Sequence, residues 1–164
     1  MHIRPFIFCL IISLCSIVAQ DRPEVVATRT ELTIKVDGLL DEPVWATIKP
    51  ITEFVQRLPL DGGEPTEKSE MRILYDNNNL YFGFTFFDSD PEKVRATILN
   101  RGGWIHRDDK LEIALDTYHD RRNAYLFEMN PLGTQDDALI TDENRPGLDE
   151  WAWDGVYISE GKVT

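Results

Sequence analysis

Cysteine is missing from almost the whole chain. The two cysteines, Cys9 and Cys15, both lie in an apolar stretch at the start of the sequence. Beyond residue 15 the chain can therefore form no disulfide and no thiolate metal site. The fold must be held together by burial of a core, to which bound ions can add stability.

Positive charge is also scarce. The chain has 29 acidic residues against 17 lysines and arginines, and its formal net charge is −12. This balance disfavours binding to nucleic acid or to anionic lipid, and it suits a neutral ligand or a divalent cation. The sequence also lacks the G-x-S-x-G, H-E-x-x-H and glycine-rich phosphate-loop motifs of well-known enzyme classes.

The first residues are typical of an export signal. Arg4 precedes an apolar run over residues 6–18, and about 13 apolar residues are too few to span a bilayer as a helix. We therefore predict a cleaved signal peptide over residues 1–19 and export to the periplasm, the outer membrane or the exterior. A polar leader over 20–29 and one domain over 30–164 are expected to follow.

Long helical periodicity, heptads and internal repeats are absent. Short segments instead alternate apolar and polar residues, which is typical of strands. These segments are 25–36, 51–56, 71–76, 79–88, 110–118, 124–130, 134–141 and 151–159. Their spacing predicts an all-β fold, an antiparallel β-sandwich of jelly-roll or immunoglobulin-like type.

The alternation also predicts a core. Segment 79–88 places four large apolar residues on one face, which favours a central strand. The predicted buried residues are Trp45, Leu80, Phe82, Phe84, Leu111, Ile113, Tyr125 and Phe127.

The stretch "VDGLLDEPVWATI" predicts a latch on that core. Asp37 and Gly38 form a turn signal. Asp41 is the expected N-cap and Pro43 fits the first turn of a short helix. Trp45 would then be held in a fixed direction and pack inward.

The end of the sequence reads as an unfinished hairpin. Glu160 and Gly161 form a turn signal, and residues 162–164 begin a strand. A strand start alone does not close a sheet. We therefore expect that the domain lacks its last strand or strands in this chain.

Four segments in order carry a resemblance to a known family. They are "IKVDGLLDEPVWATI", "LYDNNNLYFGFTFFDSDP", "DDKLEIALDTYHDRRNAYLFEMNPLGTQDD" and "DEWAWDGVYIS". Together they resemble family 9 carbohydrate-binding modules, most closely the branch that precedes a predicted β-barrel region in exported bacterial proteins. The resemblance implies a β-sandwich, binding of neutral polysaccharide or oligosaccharide such as xylan or cellulose, and structural calcium. It also implies a downstream barrel or catalytic domain as a partner, in polysaccharide degradation.

Sugar binding needs flat aromatic faces and planar polar groups. The resemblance implies a sugar held between two tryptophans. Trp104 and one of Trp151 or Trp153 are the candidates, and core packing or loop anchoring is the alternative for each. The full candidate set is Trp104, Trp151, Trp153, Arg101, Glu112, Glu128 and Asn130. The last three are expected on an outward strand face, where simple solvation is the alternative.

Clustered acidic turns are the candidates for calcium, which prefers carboxylate and carbonyl oxygens. They are Asp37, Asp41, Glu42, Asp88, Asp90, Asp116 and Asp120. Ordinary turn formation is the alternative for each cluster.

Two other functions stay open at this stage. Glu112 and Glu128 on one face could flank a glycosidic bond at the separation of roughly 5–9 Å that hydrolysis requires, as part of a glycoside hydrolase. The domain could also be an interaction module that packs on a C-terminal β-barrel. We expect binding of a glycan without intrinsic catalysis.

Overall fold

The computed structural model describes residues 24–141 and 151–164. The predicted signal peptide lies outside these residues. The fold is an all-β sandwich of two three-stranded sheets with one short helix, α1 (Pro43–Thr47). The first sheet has the order β1 (Thr28–Arg29), β2 (Ser69–Tyr75) and β3 (Leu80–Phe86); the second has β4 (Leu111–Leu115), β5 (Ala124–Met129) and β6 (Gln135–Ile140). In the described ranges, no helix is long and apolar enough to cross a membrane.

The β2–β3 hairpin forms where Asn77 and Asn78, between the predicted strands 71–76 and 79–88, predict a turn. The strands are antiparallel, and Tyr75 pairs with Leu80 across the turn. The carboxylate of Asp76 accepts the backbone N–H groups of Asn78 and Asn79, each at 2.7 Å. These bonds, with one from the Tyr81 hydroxyl, hold the pKa of Asp76 at about 2. The turn is therefore fixed by a side chain that its own sequence supplies.

The position of β3 differs from the prediction. It is an edge strand, because β2 occupies the centre with β1 parallel on one side and β3 antiparallel on the other. Leu80 is 48% exposed and Phe86 is 58% exposed. The alternation correctly grouped the residues that share a face, but the buried position of β3 is Gly83, which lies against Trp45 on the face opposite Leu80. Periodicity also does not distinguish a central strand from an edge strand.

The predicted strand over 25–36 is reduced to the two residues of β1, which fall within the predicted leader. Side-chain oxygens instead accept backbone N–H groups that would bond to a neighbouring strand if β1 were longer. The Thr30 hydroxyl accepts the Leu32 N–H at 3.0 Å, and the Glu42 carboxylate accepts the Lys35 N–H at 2.8 Å. Such local bonds compete with a sheet ladder.

Two other predicted strands are also absent. Segment 51–56 forms only two isolated bridges. Residues 151–164 contain no strand and are joined to β6 by side chains instead. The Asp137 carboxylate accepts the Gly155 N–H, and the Gln135 amide donates to the Tyr157 carbonyl at 3.0 Å. These contacts replace the main-chain ladder that alternation predicts.

The predicted latch is confirmed, with one change. Glu42, and not Asp41, stands at the N-cap position, and Pro43 opens α1 as predicted. Glu42 also accepts the indole N–H of Trp45 at 3.0 Å. The indole is 3% exposed and packs on Gly83 of β3, where a Cβ would lie 3.0 Å from the ring. A glycine in the strand makes room for the tryptophan.

The rest of the predicted core is less buried than expected. Six of the eight predicted residues are half-buried: Phe82, Phe84, Leu111, Ile113, Tyr125 and Phe127. The buried apolar side chains of the described residues are Trp45, Leu74, Ile105 and Ala138. Leu74 lies on the central strand β2, and Ile105 lies in the 3-10 helix Ile105–Arg107 of the connection between β3 and β4, where periodicity gives no signal.

Trp45→Ala should destabilise the fold by about 3–5 kcal/mol, the usual cost of removing a buried aromatic side chain. Trp104→Ala is the matched control, since this tryptophan is 67% exposed and its loss should cost no more than about 0.5 kcal/mol. Urea unfolding of both variants measures the difference. Equal midpoints would show that Trp45 is not part of the core.

Candidate functional site

Three parts of the chain border an open pocket of about 320 Å³ beside β6, which we name the Arg101 pocket. They are the glycine-containing loop before β4, the start of β6, and the segment 151–154. The lining residues are Arg101, Gly102, Asp136, Asp137, Trp151, Ala152, Trp153 and Asp154. The structure thus brings together three of the residues predicted for sugar binding.

The loop that carries Arg101 is fixed against β6. The Gly102 N–H donates to the carbonyl of Gln135 at 3.1 Å, and the Gly103 N–H donates to that of Asn100 at 2.9 Å. Gly102 has φ +68°, a left-handed conformation that glycine adopts without steric cost. The paired glycines therefore set the path that presents Arg101 to the pocket.

The guanidinium of Arg101 forms the polar floor. Its Nη2 donates to Asp137 Oδ1 at 2.8 Å and to the Gly155 carbonyl at 2.6 Å, and it pairs with Asp154 Oδ1 at 2.7 Å. Asp137 is buried, and its other oxygen accepts the Gly155 N–H. A buried carboxylate requires such pairing and hydrogen bonding. The floor is therefore held in place by charge as well as by backbone contacts.

The two tryptophans of the pocket differ in their support. The Trp153 ring lies 5.1 Å from the ring of Tyr125 and 5.7 Å from that of Phe127, centroid to centroid, so it rests on β5. A Cβ at Gly155 would lie 2.6 Å from this indole, so the backbone passes close beside it. Trp151 is 51% exposed. One wall is thus anchored and the other is open to solvent.

Trp104 is not among the residues that line the pocket. Its exposed ring lies 5.0 Å from the ring of His106, and the guanidinium of Arg107 stands 5.6 Å above it. This is a cation–π arrangement on the 3-10 helix that follows the glycine loop.

Glu112 and Glu128 are direct partners on β4 and β5. Their side chains share a hydrogen bond, and Lys110 pairs with both, at 2.7 Å from Glu128 Oε1. Glu128 is buried. The prediction that Glu128 faces outward is therefore wrong, because Lys110 and Glu112 provide the partners that its burial requires.

The pKa values of the two carboxyl groups shift in opposite directions. Burial and the hydrogen bond with Glu112 raise the pKa of Glu128 to about 7. The same hydrogen bond and Lys110 lower the pKa of Glu112. Carboxyl groups that hydrogen-bond to each other leave no gap of roughly 5–9 Å for a glycosidic bond. The arrangement does not support the hydrolase alternative at this pair.

Asn130 is also buried, contrary to the prediction of an outward polar face. Its amide donates to the Ile98 carbonyl at 2.8 Å and to Asp108 at 3.0 Å, and its oxygen accepts the Thr134 N–H at 2.9 Å. Burial alone would raise the pKa of Asp108, but hydrogen bonds from Ile98, Thr97 and Asn130 hold it at about 2. Asn130 closes the β5–β6 connection and has no group left for a ligand hydroxyl.

The comparison with known families agrees with this architecture. A family model described as carbohydrate family 9 binding domain-like matches residues 36–147. The chain belongs to this family. A carbohydrate is therefore the ligand class of the domain, and the predicted resemblance and fold class are confirmed. No significant match is found to a curated protein or to a solved structure.

The family 9 match covers the Arg101 loop and β6 but ends before Trp151. Sequence analysis missed the acids of the pocket, Asp136, Asp137 and Asp154. One signal was present: two consecutive aspartates inside an apolar strand, of which one must face inward. A buried aspartate needs a cationic partner, and Arg101 lies 36 residues away in sequence.

The seven acids predicted to bind calcium in this family 9 domain lie in three separate segments, 37–42, 88–90 and 116–120. Most already bond to the backbone: Asp88 accepts the Asp90 N–H and Asp116 accepts the Arg121 N–H, each at 2.7 Å. Within residues 24–141 and 151–164, no group of three or more acids, histidines or cysteines is placed to hold a metal ion. The described carboxylates form no preassembled site, and calcium stays a prediction.

Calcium binding can be tested by thermal unfolding. If the family 9 domain binds the ion, a concentration 100 times the dissociation constant should add about 2.7 kcal/mol to its stability. Melting temperatures in chelator, in millimolar calcium and in magnesium at equal ionic strength give the comparison. Identical melting temperatures in all three would remove calcium from the description of this protein.

The acid pair predicts a loss of stability as the pH rises from about 4.5 to about 7. The folded pKa of Glu128 is about 7 against an ordinary 4.5, so the fold binds the protonated form better. Its contribution to the free energy of unfolding is complete below about pH 4.5 and is lost as the pH rises through about 7. We expect a loss of about 2 kcal/mol between about pH 5 and about pH 8, and much less in Glu128→Gln.

Glu70→Gln is the control for this experiment. Glu70 bonds to Lys68 and Arg72, and these bonds lower its pKa, so this variant should keep the loss of stability between about pH 5 and about pH 8. Urea unfolding across the pH range gives the free energies. An unchanged loss of stability over this pH range in Glu128→Gln would show that the fold does not raise the pKa of Glu128.

Proposed function

We propose that this family 9 domain binds a neutral glycan in the Arg101 pocket, with a pyranose ring stacked on the indole of Trp151 or Trp153. The observation that carries the proposal is the convergence of two tryptophans and the Arg101 guanidinium on one open pocket. The apolar C–H faces of a pyranose need flat aromatic surfaces, and its hydroxyls need planar polar groups.

The polar groups of the pocket suit hydroxyls. A guanidinium has five N–H donors, so the contacts that Arg101 makes through Nη2 do not exhaust it. Asp154 stands at the mouth with a highly exposed side chain, and its carboxylate can accept a hydroxyl proton. A donor and an acceptor beside an aromatic wall match the pattern of vicinal hydroxyls on a sugar ring.

Trp104 is a second candidate surface for the same glycan. Its ring is exposed and carries Arg107 on one side. A polysaccharide longer than the pocket could contact both. Interaction through Trp104 is a proposal from the sequence, and the pocket is the part that the geometry favours.

The setting of this activity is proposed from the sequence. The apolar run over 6–18 favours export through a cleaved signal peptide, which the mass of the exported chain would test. A polysaccharide-degrading context, with a downstream barrel or catalytic domain, would fit an exported glycan-binding domain. The downstream reading frame would show whether such a domain follows.

One observation favours the interaction-module alternative. Val156 is fully exposed and Ile158 is 75% exposed on the segment beside the pocket. Exposed β-branched residues on an extended segment are a surface that a protein partner can cover. If the intact domain binds no glycan, the interaction module replaces glycan binding as the proposed function.

Trp151→Ala should weaken glycan binding about tenfold or more, since stacking on an exposed ring is worth about 1–3 kcal/mol by analogy with base stacking. The melting temperature should change by no more than a few degrees, because this side chain is half exposed. Calorimetric titration with xylan, cellulose and β-glucan oligosaccharides measures the affinity.

Three further variants sharpen the result. Phe87→Ala removes an exposed aromatic side chain that follows β3 in the first sheet and should leave the affinity unchanged. Trp104→Ala decides whether that ring contacts the glycan. Trp153 requires replacement by Phe, because its indole packs on Tyr125 and Phe127 and alanine would also weaken the fold. Unaltered binding in Trp151→Ala would contradict the pocket assignment.

A further inference from the structure

The Arg101 pocket has an excess of negative charge. Three carboxylates line it, from Asp136, Asp137 and Asp154, against the single guanidinium of Arg101. No other described residue that lines the pocket carries a charge. The electrostatic character of the pocket is therefore acidic although its floor is an arginine.

The three carboxylates are not equivalent. Asp137 is buried and paired with Arg101 at 2.8 Å, so this pair is internally neutral. Asp154 shares the same Nη2 atom at 2.7 Å but extends into solvent. One guanidinium thus contacts two carboxylates and cannot neutralise both.

Asp136 is the least compensated of the three. Its Oδ1 accepts the N–H of Asp137 at 3.0 Å. Burial raises its pKa, and the neighbouring charge of Asp137 raises it further, while Lys110 and Arg101 act in the opposite direction. Asp136 pairs with Glu128, whereas Asp137 pairs with Phe127, on which Trp153 packs. Asp136 therefore adds to the negative charge of the pocket without facing Trp153.

We propose that the pocket selects sugars by charge: for the same ring and linkage it binds a residue with a protonated amine most tightly, a neutral residue less tightly and a uronic acid least. This inference rests on the proposed function of the pocket. An ammonium group supplies three donors to the exposed carboxylate of Asp154, and the walls of Trp151 and Trp153 attract a cation at their faces. A uronate carboxylate would meet like charge at the same place.

The test uses oligosaccharides of equal length and the same β-1,4 linkage. They are the oligomers of glucosamine, N-acetylglucosamine, glucose and glucuronic acid. Calorimetric titration at about pH 6 keeps the amine largely protonated, since an amine beside electron-withdrawing groups, such as an α-amino group, has a pKa of about 8. We expect the glucosamine oligomer to bind at least about tenfold more tightly than the glucose oligomer at low salt, and the glucuronate oligomer to bind less tightly. Added salt should reduce both differences.

Two variants test whether the preference for the amine comes from the pocket. Asp154→Asn should remove most of the preference, measured as the ratio of glucosamine to glucose affinity within the same variant. Asp61→Asn makes the same change in net charge in an exposed turn outside the pocket lining, and it should keep the ratio. An equal fall in both variants would show that the whole acidic chain, and not the pocket, attracts the amine.

The outcomes separate this inference from the proposed function. Tight binding of glucose and glucosamine oligomers with equal affinity would overturn charge selection and leave the sugar pocket standing. Binding of no oligomer at all would overturn both. Tighter binding of the N-acetylated oligomer than of its free amine would also overturn charge selection, because the acetylated residue carries no charge.

Discussion

The guanidinium of Arg101 is the interaction on which the candidate site depends. Through one nitrogen it joins the glycine loop to the buried Asp137 of β6 and to the backbone at Gly155. These three regions are far apart in sequence, and no shared strand ladder aligns them. The position of the anchored indole wall therefore depends on a charge pair whose carboxylate is buried and whose guanidinium is partly exposed. Removing the guanidinium would leave the buried carboxylate without its cation, which is costly.

Carboxylates that bond to more than one segment also occur at other places in the chain. Glu42 holds both Lys35 and Trp45, and Asp108 gathers the loop after residue 94 onto Asn130. A chain without disulfides in the described domain, and with modest burial of its sheets, can gain order from carboxylates that each accept several N–H groups. The excess of acidic residues is thus partly structural, and it is not simply a solvated surface.

The sequence predicted those features that depend on neighbours along the chain. Alternation located β3 to β6, the Asn-Asn turn placed the β2–β3 hairpin, and Pro43 oriented Trp45. The family followed from ordered segments. Prediction from the sequence failed where a partner that is distant along the chain determines burial. Glu128 is buried because Lys110 pairs with it, and Asn130 is buried because Asp108 bonds to it. The pocket was predicted through Arg101, Trp151 and Trp153, but its aspartates depend on pairing across 36 residues, which periodicity does not encode.

The unequal surroundings of the tryptophans have an optical consequence. Trp45 is buried and its indole N–H is hydrogen-bonded to the Glu42 carboxylate, so its fluorescence emission reports the folded state. Trp151 stands among carboxylates, whereas Trp104 stands beside Arg107 and His106. A cationic quencher such as caesium is drawn to the first exposed ring, and an anionic one such as iodide to the second. The chain therefore carries separate built-in reporters for its core, its pocket and its outer loop, without any attached dye.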